Sequence, residues 1–314
     1  MKRKISITFF CLLLFCAFLY HETAAAAEEI LIGVVMTGKT PYYEAMHEAF
    51  SDSLRGRTPN GKQIKIIVQR PFPDPIALSN AARKLIAADV DLIVSYGSPA
   101  TLAVIQEKSG IPLVYAGVYD PESLHIAEPE VTGCGYKVPI SSLLRHLRSL
   151  KQVSILSVAY SSLEEDSVRQ LDEISALAIE QGASLQKINI RSHKDLTNIG
   201  PKKVGDALFV TGSAIISELL DPLLLVFREH GQPSVGIFPD VKDSGVIITL
   251  YQIPKEQGEK AAEMIYKLML GWQPNSVKRE ILRDTELVFN LREAKILGLK
   301  PQINLISEST KVIK

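Results

Sequence analysis

Two doubly wound α/β lobes joined by a three-strand hinge are the architecture this sequence predicts, on three observations. From Ile30 onward, short β-rich apolar runs alternate with segments of helical periodicity, an order that demands parallel pairing through right-handed crossovers. The series is complete once by Gly135 and then begins again from Val153 without any repetition of sequence. Strands and helices remain after the second series, enough for the chain to pass between the lobes three times. That construction is a hinged clamp.

The first series reads as strands at Ile30–Met36, Ile64–Gln69, Asp91–Tyr96, Leu113–Ala116 and Val131–Gly135. Near-continuous runs such as Leu31-Ile32-Gly33-Val34-Val35 suit strands buried on both faces. Helices are expected at Tyr42–Leu54, Ile76–Ala88 and Ala100–Lys108, where apolar residues recur at three- and four-residue spacing. Val138-Pro139 separates the two series, with Pro139 opening a helical run. The second series places strands at Val153–Val158, Ser184–Ile190, Ala207–Thr211 and Val235–Phe238, with helices at Glu164–Gln181 and Ser213–His230. Val246–Gln252 is extended, and a helix at Glu256–Leu270 stops at Gly271 before Pro274. Strands at Lys278–Leu282 and Leu287–Phe289 and a helix at Arg292–Leu297 complete the chain. The expected division is 28–138 plus 252–276 for one lobe and 139–251 plus 277–314 for the other.

Residues 1–27 have the pattern of a secretory signal peptide. Lys2, Arg3 and Lys4 precede an apolar stretch of 16 residues, Ile5 to Tyr20, and small residues at Ala25 and Ala27 suit a peptidase. The stretch is shorter than the roughly 20 residues that span a bilayer. Cleavage is expected after Ala27, in preference to an uncleaved anchor. Phe15 is too bulky for a lipidation box before Cys16. A periplasmic location follows. The exported chain would keep Cys134 alone, so no internal disulfide is expected and the thiol reads as buried and inert.

Composition narrows the function. With 46% hydrophobic and 22% charged residues, the chain is neither a disordered tail nor a fibrous repeat. Lysine plus arginine and aspartate plus glutamate both total 35, so no net field draws it to nucleic acid. Loss of the leader removes three basic residues and one acidic one and leaves a formal charge of −2.

Catalytic patterns are missing. There is no Gly-x-Ser-x-Gly elbow and no His-Glu-x-x-His, and the histidines are scattered without metal-ligand spacing. Neither an enzyme, a metal nor a cofactor is expected. Gly33-Val34-Val35-Met36-Thr37-Gly38-Lys39-Thr40 fits the phosphate-loop expression literally. Its apolar Val34, Val35 and Met36 continue the strand, however, and Pro41 disturbs the first helical turn, so a nucleotide hydrolase is the weaker alternative.

The loops at the carboxyl ends of the strands carry the binding signal, because ligands of open α/β layers lie just beyond them, against helix amino termini. Thr40 and Tyr42 follow the first strand, and Gly97-Ser98-Pro99 opens a helix whose hydroxyl and amides could hold a carboxylate. Tyr119-Asp120-Pro121 offers a counter-charge for an ammonium group. Ser161, Ser162 and Ser213 stand at the corresponding loops of the second lobe, and Phe238, Asp240 and Tyr251 complete the rim.

With these residues in hand, the sequence resembles the ABC transporter substrate-binding proteins of the family with tryptophan- and tyrosine-binding members, which have the type I periplasmic binding fold. The resemblance rests on Gly97-Ser98-Pro99-Ala100, on Ile111-Pro112-Leu113-Val114 with Tyr119-Asp120-Pro121, on Val131-Thr132-Gly133, and on the tail from Leu287 to Ala294 with Leu297-Gly298-Leu299. It implies a monomeric receptor that closes on a small molecule and delivers it to a membrane permease. It also implies that Ser98 faces a ligand carboxylate and that Asp120 sits in the matching Asp-Pro turn. Departures fall in the second lobe, where Ser161-Ser162 and Thr211-Gly212-Ser213 replace the family's usual residues. They motivate a second reading, a sensory partner of a membrane kinase. An amino acid or related small carboxylate is the expected ligand.

Overall fold

The computed structural model describes residues 28–200, 203–238 and 245–314. The expected signal peptide, 1–27, lies outside the described residues. Two sheets form, as the doubled series requires. In the first, β1 (Glu29–Met36), β2 (Gln63–Gln69), β3 (Leu92–Tyr96), β4 (Leu113–Tyr119) and β5 (Val131–Tyr136) are joined by β11 (Glu280–Leu282) in the order β11-β5-β4-β3-β1-β2. Every pairing there is parallel. The second sheet contains β6 (Ile155–Tyr160), β7 (Ser184–Asn189), β8 (Ala207–Val210), β9 (Ser234–Gly236), β10 (Ile248–Gln252), β12 (Thr285–Asn290) and β13 (Lys311–Ile313). Its order is β13-β12-β10-β9-β8-β6-β7, with only β10 and β12 antiparallel.

The period-2 alternation of a strand puts successive side chains on opposite faces, and the first sheet uses both. Ile32, Val34 and Val94 meet α1 (Pro41–Leu54) and α9 (Pro254–Met269) through Met46, Phe50 and Ile265. Val35, Ile93 and Leu113 meet α2 (Pro75–Ala87) and α3 (Ser98–Gln106) through Leu85 and Val104. In the second lobe, α4 (Ile140–Leu150) and α5 (Glu165–Glu180) cover one face through Leu143 and Ile174. The other face carries α7 (Ala214–Glu218) and α8 (Leu220–Glu229) through Ile215 and Phe227. Short helices α6 (His193–Leu196), α10 (Leu291–Ile296) and α11 (Ile303–Glu308) complete the set.

Packing of α9 on α1 depends on Gly258, where a β-carbon would stand 2.1 Å from the Met46 carbonyl oxygen. Backbone cannot yield as a flexible side chain does, so Gly258→Ala is expected to lower stability by about 1–3 kcal/mol. Calorimetry that found an unchanged Tm would contradict this close approach.

Three expectations change. Glu280–Leu282, expected with the second lobe, pairs with Cys134–Tyr136 in the first sheet, so the chain leaves that sheet only after Leu282. The single helix expected at Ser213–His230 is broken at Leu219 into α7 and α8. Pro222 lies in the first turn of α8, where its missing N–H costs nothing, whereas inside one continuous helix its ring would clash with a carbonyl of the preceding turn. Finally, β4 runs on to Tyr119 through a register shift between Tyr115 and Val118, which carries its end to the rim between the lobes. The first half of the literal phosphate-loop match is not a loop: Gly33 to Met36 belong to β1 and pair with β3, and only 37–40 connect β1 to α1.

Candidate interlobe binding site

The site is built at the carboxyl ends of β3 and β4 and at the start of α5. Gly97 is the N-cap of α3, at φ 83° and ψ 158°, a conformation that is essentially glycine's alone. A β-carbon there would lie 2.3 Å from the Tyr43 hydroxyl and 2.9 Å from Thr37 Oγ1. The turn aims the Ser98 amide and hydroxyl, together with the Tyr119 amide, at a single point. One carboxylate takes all three. Asp166 Oδ2 accepts from the Ser98 N–H (2.9 Å), and Oδ1 accepts from Ser98 Oγ (2.6 Å) and the Tyr119 N–H (3.0 Å).

Asp166 comes from the other lobe, in the first turn of α5, and Arg169 one turn later reinforces it. The Arg169 Nη2 donates to Asp166 Oδ1 (2.5 Å), to Ser98 Oγ (2.9 Å) and to the Tyr119 carbonyl (2.7 Å). Glu173 accepts from the Tyr119 hydroxyl at 2.6 Å. Asp166, Arg169, Gln170 and Glu173 share one helix face by their i, i+3, i+4 and i+7 spacing. Burial raises the Asp166 pKa, opposed by Arg169 and by the Ser98 and Tyr119 donors.

Beside this cradle stands an aromatic wall. Tyr42 stacks on Phe238 across the lobes, with ring centroids 4.9 Å apart and planes at 24°, and Tyr43 meets Phe238 edge-on at 6.0 Å. Tyr136 lies 6.1 Å from Tyr42. Burial pushes the hydroxyls of Tyr42, Tyr43 and Tyr136 well above the ordinary tyrosine range, so they act as neutral donors. The Tyr42 hydroxyl donates to Gln252 Oε1 (3.3 Å). On the second lobe, Gln170 Oε1 accepts from the Gly212 N–H (2.6 Å), which fixes the amide so that its Nε2 is the free end. That nitrogen is buried without a partner. A cavity of about 20 Å³, room for about one water molecule, lies between Thr211, Ser213, Gly236 and Phe238.

A second buried carboxylate caps a helix in the same region. Glu164 accepts from the hydroxyl of Ser213 and from the N–H groups of Ala214 and Ile215. Burial pushes its pKa up to about 7, against the pull of these donors.

The expected site residues separate into those the fold brings to this region and those it employs elsewhere. Gly97, Ser98, Tyr42 and the backbone of Tyr119 meet at the cradle and wall. Thr40 is buried and caps α1 through the Tyr43 N–H (3.3 Å). Asp120, in a left-handed conformation, faces Lys137 at 3.5 Å instead of the cradle. The Ser161 amide donates to Ser167 Oγ, and Ser162 exchanges hydrogen bonds with Asn189 on the surface. Ser213 is committed to Glu164 and to its own helix. Tyr251 donates to Glu286 on the neighbouring strand, whereas the adjacent Gln252 faces Tyr42, as strand alternation requires. Asp240 lies outside the described residues. Sequence reasoning missed Asp166, Arg169, Gln170 and Gln252; the polar stripe on one face of α5 was the signal available for the first three.

The family model for ABC transporter substrate binding proteins matches residues 32–313. The chain belongs to that family. A substrate-binding protein of this type works outside the cytoplasm, takes up a small molecule and presents it to a transporter permease. Among solved structures, an ABC domain in complex with L-Trp from Streptococcus pneumonia is similar at 20% identity and a TM-score of 0.83, covering 91% of this chain and 100% of that one. A conserved domain protein from Vibrio cholerae gives 18% identity and 0.82, covering 90% and 99%. A ligand-free, open substrate-binding protein from Clostridium difficile gives 20% identity and 0.61, covering 90% and 99%. No curated protein matches the sequence. These likenesses establish the two-lobed periplasmic binding fold of this substrate-binding protein.

Proposed function

We propose that this substrate-binding protein captures an amino acid or a related small carboxylate between its lobes by hinge closure, in the periplasm, and delivers it as a monomer to its permease. The observation that supports this ligand class most strongly is the cradle of Ser98 and Tyr119, whose three donors converge on one carboxylate at 2.6–3.0 Å. Charge-assisted bonds of this kind select an anionic oxygen pair over a neutral hydroxyl. Tyr42, Tyr43, Tyr136 and Phe238 supply faces for an apolar or aromatic side chain. The free Nε2 of Gln170 offers the second lobe's donor to a ligand acceptor. Asp240 is the remaining candidate for the ligand's ammonium group. A leader of the kind seen at residues 1–27 would bring the chain to that compartment.

Thermal-shift titrations with L-tryptophan, L-tyrosine, L-phenylalanine and small carboxylic acids, with myo-inositol as a neutral control, test the reading. A ligand at one hundred times its Kd adds about 2.7 kcal/mol to stability, enough for a clear rise in Tm. Ser98→Leu is expected to abolish that rise while leaving the far-UV circular dichroism intact. A shift with myo-inositol alone would overturn the carboxylate assignment.

A further inference from the structure

The cradle is occupied by a group that belongs to the protein itself. Asp166 offers the same two oxygens as a ligand carboxylate and satisfies every donor of lobe 1 that points at them. The contact also joins the lobes, because Ser98 opens α3 and Tyr119 ends β4 in the first lobe, whereas Asp166 and Arg169 stand on α5 of the second. Arg169 adds two further bonds across the same gap, to Ser98 Oγ and to the Tyr119 carbonyl. Both residues are withdrawn from solvent, with side-chain exposures of 5% for Asp166 and 18% for Arg169.

We propose that Asp166 is an internal surrogate for the solute's carboxylate: with Arg169 it latches the lobes shut by filling the cradle of Ser98 and Tyr119. A carboxylate solute is captured by exchange with it. Asp166 is therefore a specificity-determining residue, because a solute with no group able to replace its oxygens gains nothing from the cradle. An apo state held closed in this way reduces apparent affinity by the fraction of molecules that are open. The exchange rests on the carboxylate reading above; the latch does not.

The test uses the full exported chain, stripped of solute by unfolding and refolding, as wild type and as Asp166→Ala. Small-angle scattering is expected to give a larger radius of gyration for the variant. Hydrogen exchange at the Ser98 and Tyr119 amides is expected to accelerate about ten-fold or more once their acceptor is gone. Asp166→Asn, which keeps the side-chain volume, guards against a folding defect in the alanine variant and is expected to show the same loosening with unaltered circular dichroism. Equal scattering and equal exchange in wild type and both variants would overturn the latch. Addition of L-tryptophan or acetate to the loosened variant then separates the two ideas. Renewed compaction of the variant on addition of either probe supports the exchange. Loosening without any response to either probe supports the latch and removes the carboxylate as the ligand's handle.

Discussion

Gly97→Val is expected to lower stability by about 3–5 kcal/mol and to abolish solute binding. Two costs combine. A φ of 83° with ψ near 158° places a β-branched residue in a region that costs about 1–3 kcal/mol. The new β-carbon would also stand 2.3 Å from the Tyr43 hydroxyl and 2.9 Å from Thr37 Oγ1. Tyr43 is a rigid ring packed edge-on against Phe238, so relief requires movement of the aromatic wall. Thr37 Oγ1 accepts from the Ala100 N–H, so its displacement frees an amide in the first turn of α3. Chemical denaturation measures the first effect and titration calorimetry the second. A variant with wild-type stability and ligand affinity would show that the turn is not held as described.

Stability is expected to fall by up to about 3 kcal/mol as pH rises from 4.5 to 7, through Glu164 alone. Its pKa is pushed from the ordinary 4.5 up to about 7 by burial. Between those values the native protein holds a proton that the unfolded chain has released, so its contribution is present at the acid end and is lost as the pH passes the native value. Urea denaturation across this range, compared for wild type and Glu164→Gln, isolates the residue from other carboxylates. The variant is expected to show the shallower dependence, and parallel curves would refute the assignment.

How much could be read beforehand follows from the range of each interaction. The turn at 97–99 was legible because glycine, serine and proline there act on their own backbone within a few residues. The partner of Ser98 was not, since Asp166 is 68 residues away and the acidic start of α5 reads equally well as a complement to its own helix dipole. Tyr251 reads as part of an aromatic and hydroxyl rim, and nothing local to the sequence singles out its neighbour Gln252. Which of two adjacent strand residues faces the gap depends on register, and that is set by β9 and β12 on either side. The serines of the second lobe were legible as hydroxyls at helix starts. Their commitment to Glu164, Ser167 and Asn189 is a tertiary matter that no local pattern displays.

Cys134 has a practical consequence for following motion between the lobes. It lies in β5, fully buried, with its sulfur against the Gln257 carbonyl at 3.6 Å, and burial pushes its thiol far above the ordinary cysteine range. No other cysteine occurs from residue 28 onward. Maleimide dyes attack the thiolate, so this native sulfur stays silent, and a pair of introduced surface cysteines, one on each body, can carry fluorophores whose energy transfer records opening and shutting in real time with Cys134 left in place.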